Sequence, residues 1–208
     1  MYQPPHFRED RLDVQHALIR AHPFGALVTL GSDGLAANHM PFVVDAETGP
    51  LGTLRCHVAK ANGVWRDLDG SREALVIFQG VDSYITPSWY PTKAETGKAV
   101  PTWNYAIVHV HGQPRAVQDR EWLLRHLEAL TAQSEAHREE PWRVSDAPAD
   151  FLDGMLKGIV GIEMGISRIE GKWKNSQNRS AADRASVARG LIEQGDERSL
   201  AMAQLVRP

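Results

Sequence analysis

Residues Val100 to Val117 read VPTWNYAIVHVHGQPRAV, and their alternation decides the fold class. In an extended strand successive side chains point to opposite faces, so residues two apart share a face. Trp103, Tyr105, Ile107, His109 and His111 then line one face, and Asn104, Ala106, Val108 and Val110 the other. Gly158 to Glu170 repeats the pattern. There Val160, Ile162, Met164 and Ile166 alternate with Gly161, Glu163, Gly165 and Ser167, as in a half-buried strand.

Outward from these two segments, shorter strands are predicted over Phe24 to Leu30, Leu35 to Val44, Leu51 to Val58, Ala74 to Phe78 and Asp82 to Thr86. A hairpin turn is expected at Gly31-Ser32-Asp33-Gly34. Val14, Ala17, Leu18 and Ala21 predict a helix over Asp10 to Ala21, ended by His22-Pro23. Trp122, Leu123, Leu127 and Leu130 predict another over Asp119 to Ala136, capped by Asp119. Lys60 to Leu68 and Pro148 to Leu156 read as short helices, and Ser180 to Gln194 and Asp196 to Val206 as terminal ones. Ser180 with Asp183 resembles a capping box. Thr92 to Lys98 is polar and glycine-bearing and reads as a mobile loop, and His137 to Ala149 as a connection. Strands follow one another through short turns rather than helices, which favours an antiparallel sheet or barrel over a doubly wound parallel sheet. The expected class is mainly β with flanking helices (α+β), a single domain over residues 1–208 with a helical segment over 180–208.

The chain has 208 residues, 42% of them hydrophobic and 24% charged, enough for one packed core and unlike a disordered chain. A net charge of -3 lacks the basic footprint of a DNA-binding domain. DNA contact would need a local patch such as Arg179, Arg184, Arg189, Arg198 and Arg207, where acidic residues are interleaved. The single cysteine, Cys56, allows no intrachain disulfide and no thiolate zinc site, and its apolar neighbours predict a buried structural thiol. No segment approaches the ~20 apolar residues of a membrane helix, and Met1 to Asp10 is unlike a signal peptide, so a cytoplasmic location is expected. Glycine-rich dinucleotide and phosphate loops, the nucleophile elbow and the zinc-protease motif are missing. His109 and His111 read as lining a sheet face or subunit contact, with no metal site expected.

The informative residues are polar groups set into strands. Asn38 and His39 precede Met40-Pro41-Phe42, and a proline inside a strand marks an edge or bulge. Such an edge offers main-chain groups to a flat ligand, or is simply irregular. His57-Val58-Ala59-Lys60-Ala61-Asn62 runs from a strand into a helix start. That is a place for a phosphate, or an ordinary cap at Asn62 with a solvated Lys60. Ser88-Trp89-Tyr90 and Trp103-Asn104-Tyr105 are aromatic clusters suited to a ring ligand, a subunit interface or plain core packing. Gly171-Lys172-Trp173-Lys174-Asn175-Ser176-Gln177-Asn178-Arg179 carries three cations and suits an acidic group or a solvated loop.

These runs, together with Met1-Tyr2-Gln3-Pro4-Pro5-His6-Phe7, Gly80 to Tyr90 and Val100 to Tyr105, occur in the order found in the PaiB family of FMN-binding negative transcriptional regulators, which the chain resembles along almost its whole length. The resemblance implies an antiparallel split β-barrel like that of pyridoxamine-phosphate oxidase, and a homodimer holding FMN non-covalently at the subunit interface. It also implies that Asn38, His39, Met40, Pro41 and Phe42 flank the flavin ring, while His57, Lys60 and Asn62 approach its phosphate. Trp103, Asn104 and Tyr105 would close the site, with Lys174, Gln177 and Arg179 completing it. Lys60 stands where the family pattern has Arg, Gly63 and Val81 where it has Pro, and Asn175 where it has an apolar residue. A flavin-dependent oxidoreductase, with His39 or Tyr105 as candidate proton carrier, and a module for another flat cofactor such as haem are the competing functions.

Overall fold

The computed structural model describes residues 1–31 and 34–206, so Ser32 and Asp33 of the expected turn, and Arg207, lie outside the described residues. Eight strands form one sheet. They are β1 (Arg8–Glu9), β2 (Phe24–Gly31), β3 (Gly34–Pro41), β4 (Val43–Asp45), β5 (Thr53–Ala59), β6 (Ala74–Ile85), β7 (Thr102–Val117) and β8 (Ile159–Lys174). The order is β3-β2-β6-β7-β8-β5-β4, with β1 paired to β8. The registered pairs are all antiparallel. The α-helices are α1 (Leu12–Ala21), α2 (Pro91–Thr96), α3 (Arg120–Glu135), α4 (Ala149–Lys157), α5 (Ala181–Gln194) and α6 (Glu197–Val206). No helix among the described residues is long and apolar enough to cross a membrane.

The chain divides into two compact units. One comprises Leu12–Phe78 and His109–Ile169, the other Met1–Arg11, Gln79–Val108 and Glu170–Pro208. In the first, β5 pairs with β8 from Thr53↔Gly165 to Ala59↔Ile159. Their alternate positions Leu54, Cys56, Val58, Val160, Ile162 and Met164 are buried. Cys56 is fully enclosed, and burial pushes its thiol far above the ordinary range, consistent with a structural role. Phe42 and Phe78 meet edge to face with ring centres 5.3 Å apart. Helix α3 begins where Asp119 accepts the Trp122 amide at 2.7 Å, the cap foreseen, and buries Leu123 and His126. In the second unit, Val187, Leu191, Met202 and Val206 of α5 and α6 close a core with Ile85 and Tyr90.

Several elements differ from expectation. The two strands predicted over Ala74 to Phe78 and Asp82 to Thr86 are one, β6. The strand predicted over Leu35 to Val44 breaks at Phe42, whose amide donates to Pro23 O at 2.9 Å instead of joining a ladder. Lys60 to Leu68 holds only a five-residue 3-10 helix, Gly63–Asp67. Thr92 to Lys98 is not a loop throughout, because α2 occupies its first part. Pro91 presets its first turn, and Asp183 fastens it by accepting from the Thr92 amide and hydroxyl at 3.2 and 2.8 Å. That use of Asp183 also leaves the expected capping box half made. Ser180 Oγ accepts the Asp183 amide, but the Asp183 carboxylate turns to Thr92.

At Gly161 the face of β8 meets the Trp122 ring, and a Cβ there would overlap it. Gly161→Ala is expected to lower stability by about 1–3 kcal/mol through overpacking. Denaturant unfolding checks this, and an unchanged midpoint would mean the indole moves aside freely.

Candidate functional site

The expected site residues divide between the two units, and in the first only Asn38 and Asn62 share a cavity. That pair lies at β3, an end strand of the sheet whose outer main-chain edge pairs with no further strand among the described residues. Asn62 Nδ2 donates to Asn38 Oδ1 at 2.8 Å, and Asn62 Oδ1 caps the 3-10 turn by accepting the Val64 amide at 3.1 Å. Both asparagines line a cavity of about 610 Å³ with Thr29, Leu35, Val64, Arg66 and Asp67. That volume lies in the range of small-molecule sites. His39 is exposed and stacks on Phe24 at 6.3 Å, while Met40 and Phe42 are buried in the core rather than facing the cavity. Pro41 ends β3 and is half-buried.

Lys60 takes a different direction. It lines a second cavity, of about 450 Å³, with Arg120, Asp153 and Lys157. The Lys60 and Asn62 amides already donate, to Gly158 O and Ala59 O at 2.8 Å each. A phosphate at this turn would therefore depend on the exposed Lys60 and Arg66 side chains rather than on a helix dipole.

His57 is turned against α3, where its Nδ1 lies 3.0 Å from His126 Nε2. Burial holds His57 below the ordinary histidine range. Burial, with the His57 and Arg55 charges, pushes His126 down to about 3. Trp122 stacks on His126 at 5.4 Å and donates its indole N–H to Glu163 Oε2 at 3.0 Å. Burial raises the Glu163 carboxyl, but the bonds from Trp122 and Arg115 and the nearby Arg55 outweigh it and hold Glu163 below the usual range. Sequence reasoning missed His126. The signal was a histidine on the inward stripe of an otherwise apolar helix face.

The second group surrounds the turn after β8. Asn104 Nδ2 donates to Ser176 Oγ at 2.9 Å, and Lys174 Nζ donates to Trp103 O at 2.7 Å and to Thr102 Oγ1. Arg179 lies over the Tyr90 ring at 4.7 Å. Gln177 holds the turn itself, its Oε1 accepting the Asn175 amide at 2.8 Å and its amide donating to Trp173 O. Trp103 is 54% exposed, with Tyr84 set edge-on at 6.0 Å. Tyr105 and Trp103 line a cavity of about 330 Å³ with Gln79 and Asp82. Lys172, which sequence reasoning left out of the site, places its ammonium 5.3 Å from the Tyr105 ring centre and donates to Tyr2 O at 3.0 Å. The expected His109–His111 face includes an Arg168 Nη2 to His111 Nδ1 contact of 3.0 Å.

Residues 1–168 match the family model described as "Putative FMN-binding domain". The chain is 36% identical over 242 residues to an uncharacterized protein of Emericella nidulans, covering 100% of this chain and 96% of that one. It is 30% identical over 206 residues to the protease synthase and sporulation protein PAI 2 of Bacillus subtilis, covering 99% and 96%. The FAD and heme binding protein of Mycobacterium smegmatis aligns with TM-score 0.60 at 14% identity over 85% of this chain and 78% of that one. A conserved hypothetical protein of Mycobacterium tuberculosis aligns with TM-score 0.60 at 13% identity over 86% and 94%. At such identities the structural likeness establishes the fold class alone, the antiparallel split barrel that the family resemblance implied.

The histidine pair makes stability depend on pH. Both rings have folded-state pKa values below the unfolded ~6.5, so the unfolded chain binds more protons in between. The contribution is complete above about pH 6.5 and is lost as pH falls towards 3. Unfolding free energy is expected to drop below neutrality by up to about 1.4 kcal/mol per pH unit for each histidine. His126→Phe should flatten the slope measured by urea titration at several pH values. An unaltered slope would show that other groups cause it.

Proposed function

The chain belongs to the FMN-binding domain family, and from that premise we propose that it is a homodimeric flavoprotein of the PaiB type acting as a negative regulator of transcription in the cytoplasm. The observation that carries the flavin site is the cavity beside end strand β3, with Asn38 and Asn62 joined across it. The residues present fit the group. The outer main-chain edge of β3 and the two amides suit the polar rim of a tricyclic ring, Leu35 and Val64 give apolar contact, and Arg66 offers a guanidinium to a phosphate. The same cavity is also lined by the Asp67 carboxylate.

Bound FMN would supply a redox-active ring system. Asn62 orients Asn38 and holds the turn that follows β5; His39 and Phe24 form an exposed ring pair beside it. Arg66 attracts the phosphate, while Lys60 lines the separate cavity. Trp103, Asn104 and Tyr105 serve as the covering group, supplied by the partner subunit in this reading. Dimerisation is supported by apolar side chains left exposed on strands, Leu35 at 79% and Phe24 at 66%. The regulatory role rests on the sequence resemblance to the PaiB family of negative transcriptional regulators. The net charge of -3 and the pairing of Arg198 with Asp82 at 4.0 Å argue for weak or indirect DNA contact.

The purified protein should be yellow, bind one FMN per chain and sediment as a dimer. Asn62→Ala should weaken FMN binding about ten-fold, through loss of both the cap and the Asn38 bond. Flavin fluorescence titration reads this. Unchanged affinity removes the β3 cavity as the site, and a Soret band in place of flavin absorbance replaces the cofactor. Deleting the gene should raise transcription of its targets, whereas nanomolar operator binding at physiological salt would overturn indirect action. Turnover of a small molecule with NADH or NADPH would favour an oxidoreductase.

A further inference from the structure

The sequence resemblance implies that Lys174, Gln177 and Arg179 complete the flavin site, yet their surroundings describe something else. Lys172, Lys174 and Arg179 are close enough that the other two charges, after burial, help hold the Lys174 ammonium below its ordinary range. Three cations together require compensation. Here the contacts that hold them are to neutral groups: Tyr2 O and two tyrosine rings for Lys172, Trp103 O and Thr102 Oγ1 for Lys174, and the Tyr90 ring for Arg179. Carbonyls and ring faces position a cation without cancelling its charge. Glu170 is paired with the N-terminus, and Asp183, held by the neutral Thr92 amide and hydroxyl, keeps one negative charge near Tyr90 against the three cations.

A second observation points to a ligand. Asn104 is 1% exposed, and its Oδ1 has no hydrogen-bond partner; neither has the hydroxyl of buried Tyr90. Arg179 and Ser176 lie near enough to influence the Tyr90 hydroxyl without bonding it in good geometry. Because the Ser176 hydroxyl can donate as well as accept, turning the Asn104 amide about its axis keeps their bond and presents an N–H₂ donor instead. Ser176 itself has φ 68°, the one non-glycine positive φ among the described residues, a strained conformation of the kind that collects at binding sites.

We propose that Lys174 and Arg179, with Asn104, Ser176 and Tyr90, form a second anion site that takes the carboxylate or phosphate of a small molecule other than the flavin. It rests on the flavin reading only in leaving the FMN phosphate to Arg66. An oxygen anion is the chemistry that matches two cations with the Asn104 amide and the Tyr90 hydroxyl as donors, Ser176 giving its proton to Asn104 in that arrangement.

Calorimetric titration of the FMN-loaded protein with inorganic phosphate, and separately with acetate, tests this. Saturable binding at one site per chain is expected. Preference for phosphate or for acetate identifies the source of the oxyanion. Arg179→Gln and Lys174→Gln should each weaken binding about ten-fold or more, the loss of one charge-assisted bond, with flavin content unchanged. Arg179→Lys should lose less than Arg179→Gln. Ser176→Gly relieves the backbone strain and should fold yet bind the anion less well. Absence of saturable binding by the loaded protein overturns the proposal, as does loss of FMN from folded Gln variants, which would assign the cluster to the flavin. A protein that takes up no FMN at all refutes the flavin reading instead, and the same titration without flavin still tests the cluster.

Discussion

The structure depends on a close approach between two 16-residue strands, β7 and β8. At Gly112 a side chain would collide with Gly165 O and Met164, so the absence of a Cβ lets the neighbouring backbones come together. From that contact the alternation runs outward. Ala106, Val108 and Val110 on one strand, and Val160, Ile162 and Met164 on the other, are driven inward by burial of apolar surface. The opposite face of β8 carries Gly161 and Glu163, and these receive Trp122 of α3 as both a shape and a hydrogen-bond donor.

Polar chemistry then settles wherever this apolar scheme stops. On the α3 side, Glu163 pairs with Arg115 and Arg55, Asp45 gives Arg55 a second carboxylate at 3.0 Å, and His57 and His126 share a hydrogen bond. The charged groups there are paired, while His126 Nδ1 is buried without a hydrogen-bond partner. At the end of β8 the opposite holds, since Lys172, Lys174 and Arg179 rest on carbonyls and rings, leaving net positive charge. The distinction between a closed and an open electrostatic arrangement separates support from candidate function better than residue type does. His57 and Lys174 both belonged to the expected site, yet the first has a buried partner and the second sits in an uncompensated field.

Where local signals were strong, they carried through. The cap at Asp119, the alternation of Trp103 to His111 and of Val160 to Ile166, and the edge marked by Pro41 all survive in the structure. Each rests on neighbours a few residues apart. The errors occur where a distant residue intervened. Thr92 belongs to a helix because Asp183 holds it, and Gly171 to Lys174 extends β8 because Arg8 and Glu9 pair with Lys172 and Gly171. Neither partner is visible from the local pattern.

The sequence by itself determined the antiparallel class, the faces of the long strands, the buried cysteine and the family, because periodicity and motif order are properties of the chain alone. Tertiary structure decided which of the fourteen candidate residues are open to a ligand. It buried Met40 and Phe42, joined Asn38 to Asn62, spent His57 on His126 and gathered Lys172 with Lys174 and Arg179. Burial and charge compensation depend on groups far apart in sequence, so a side chain's availability emerges only after the chain has folded around it.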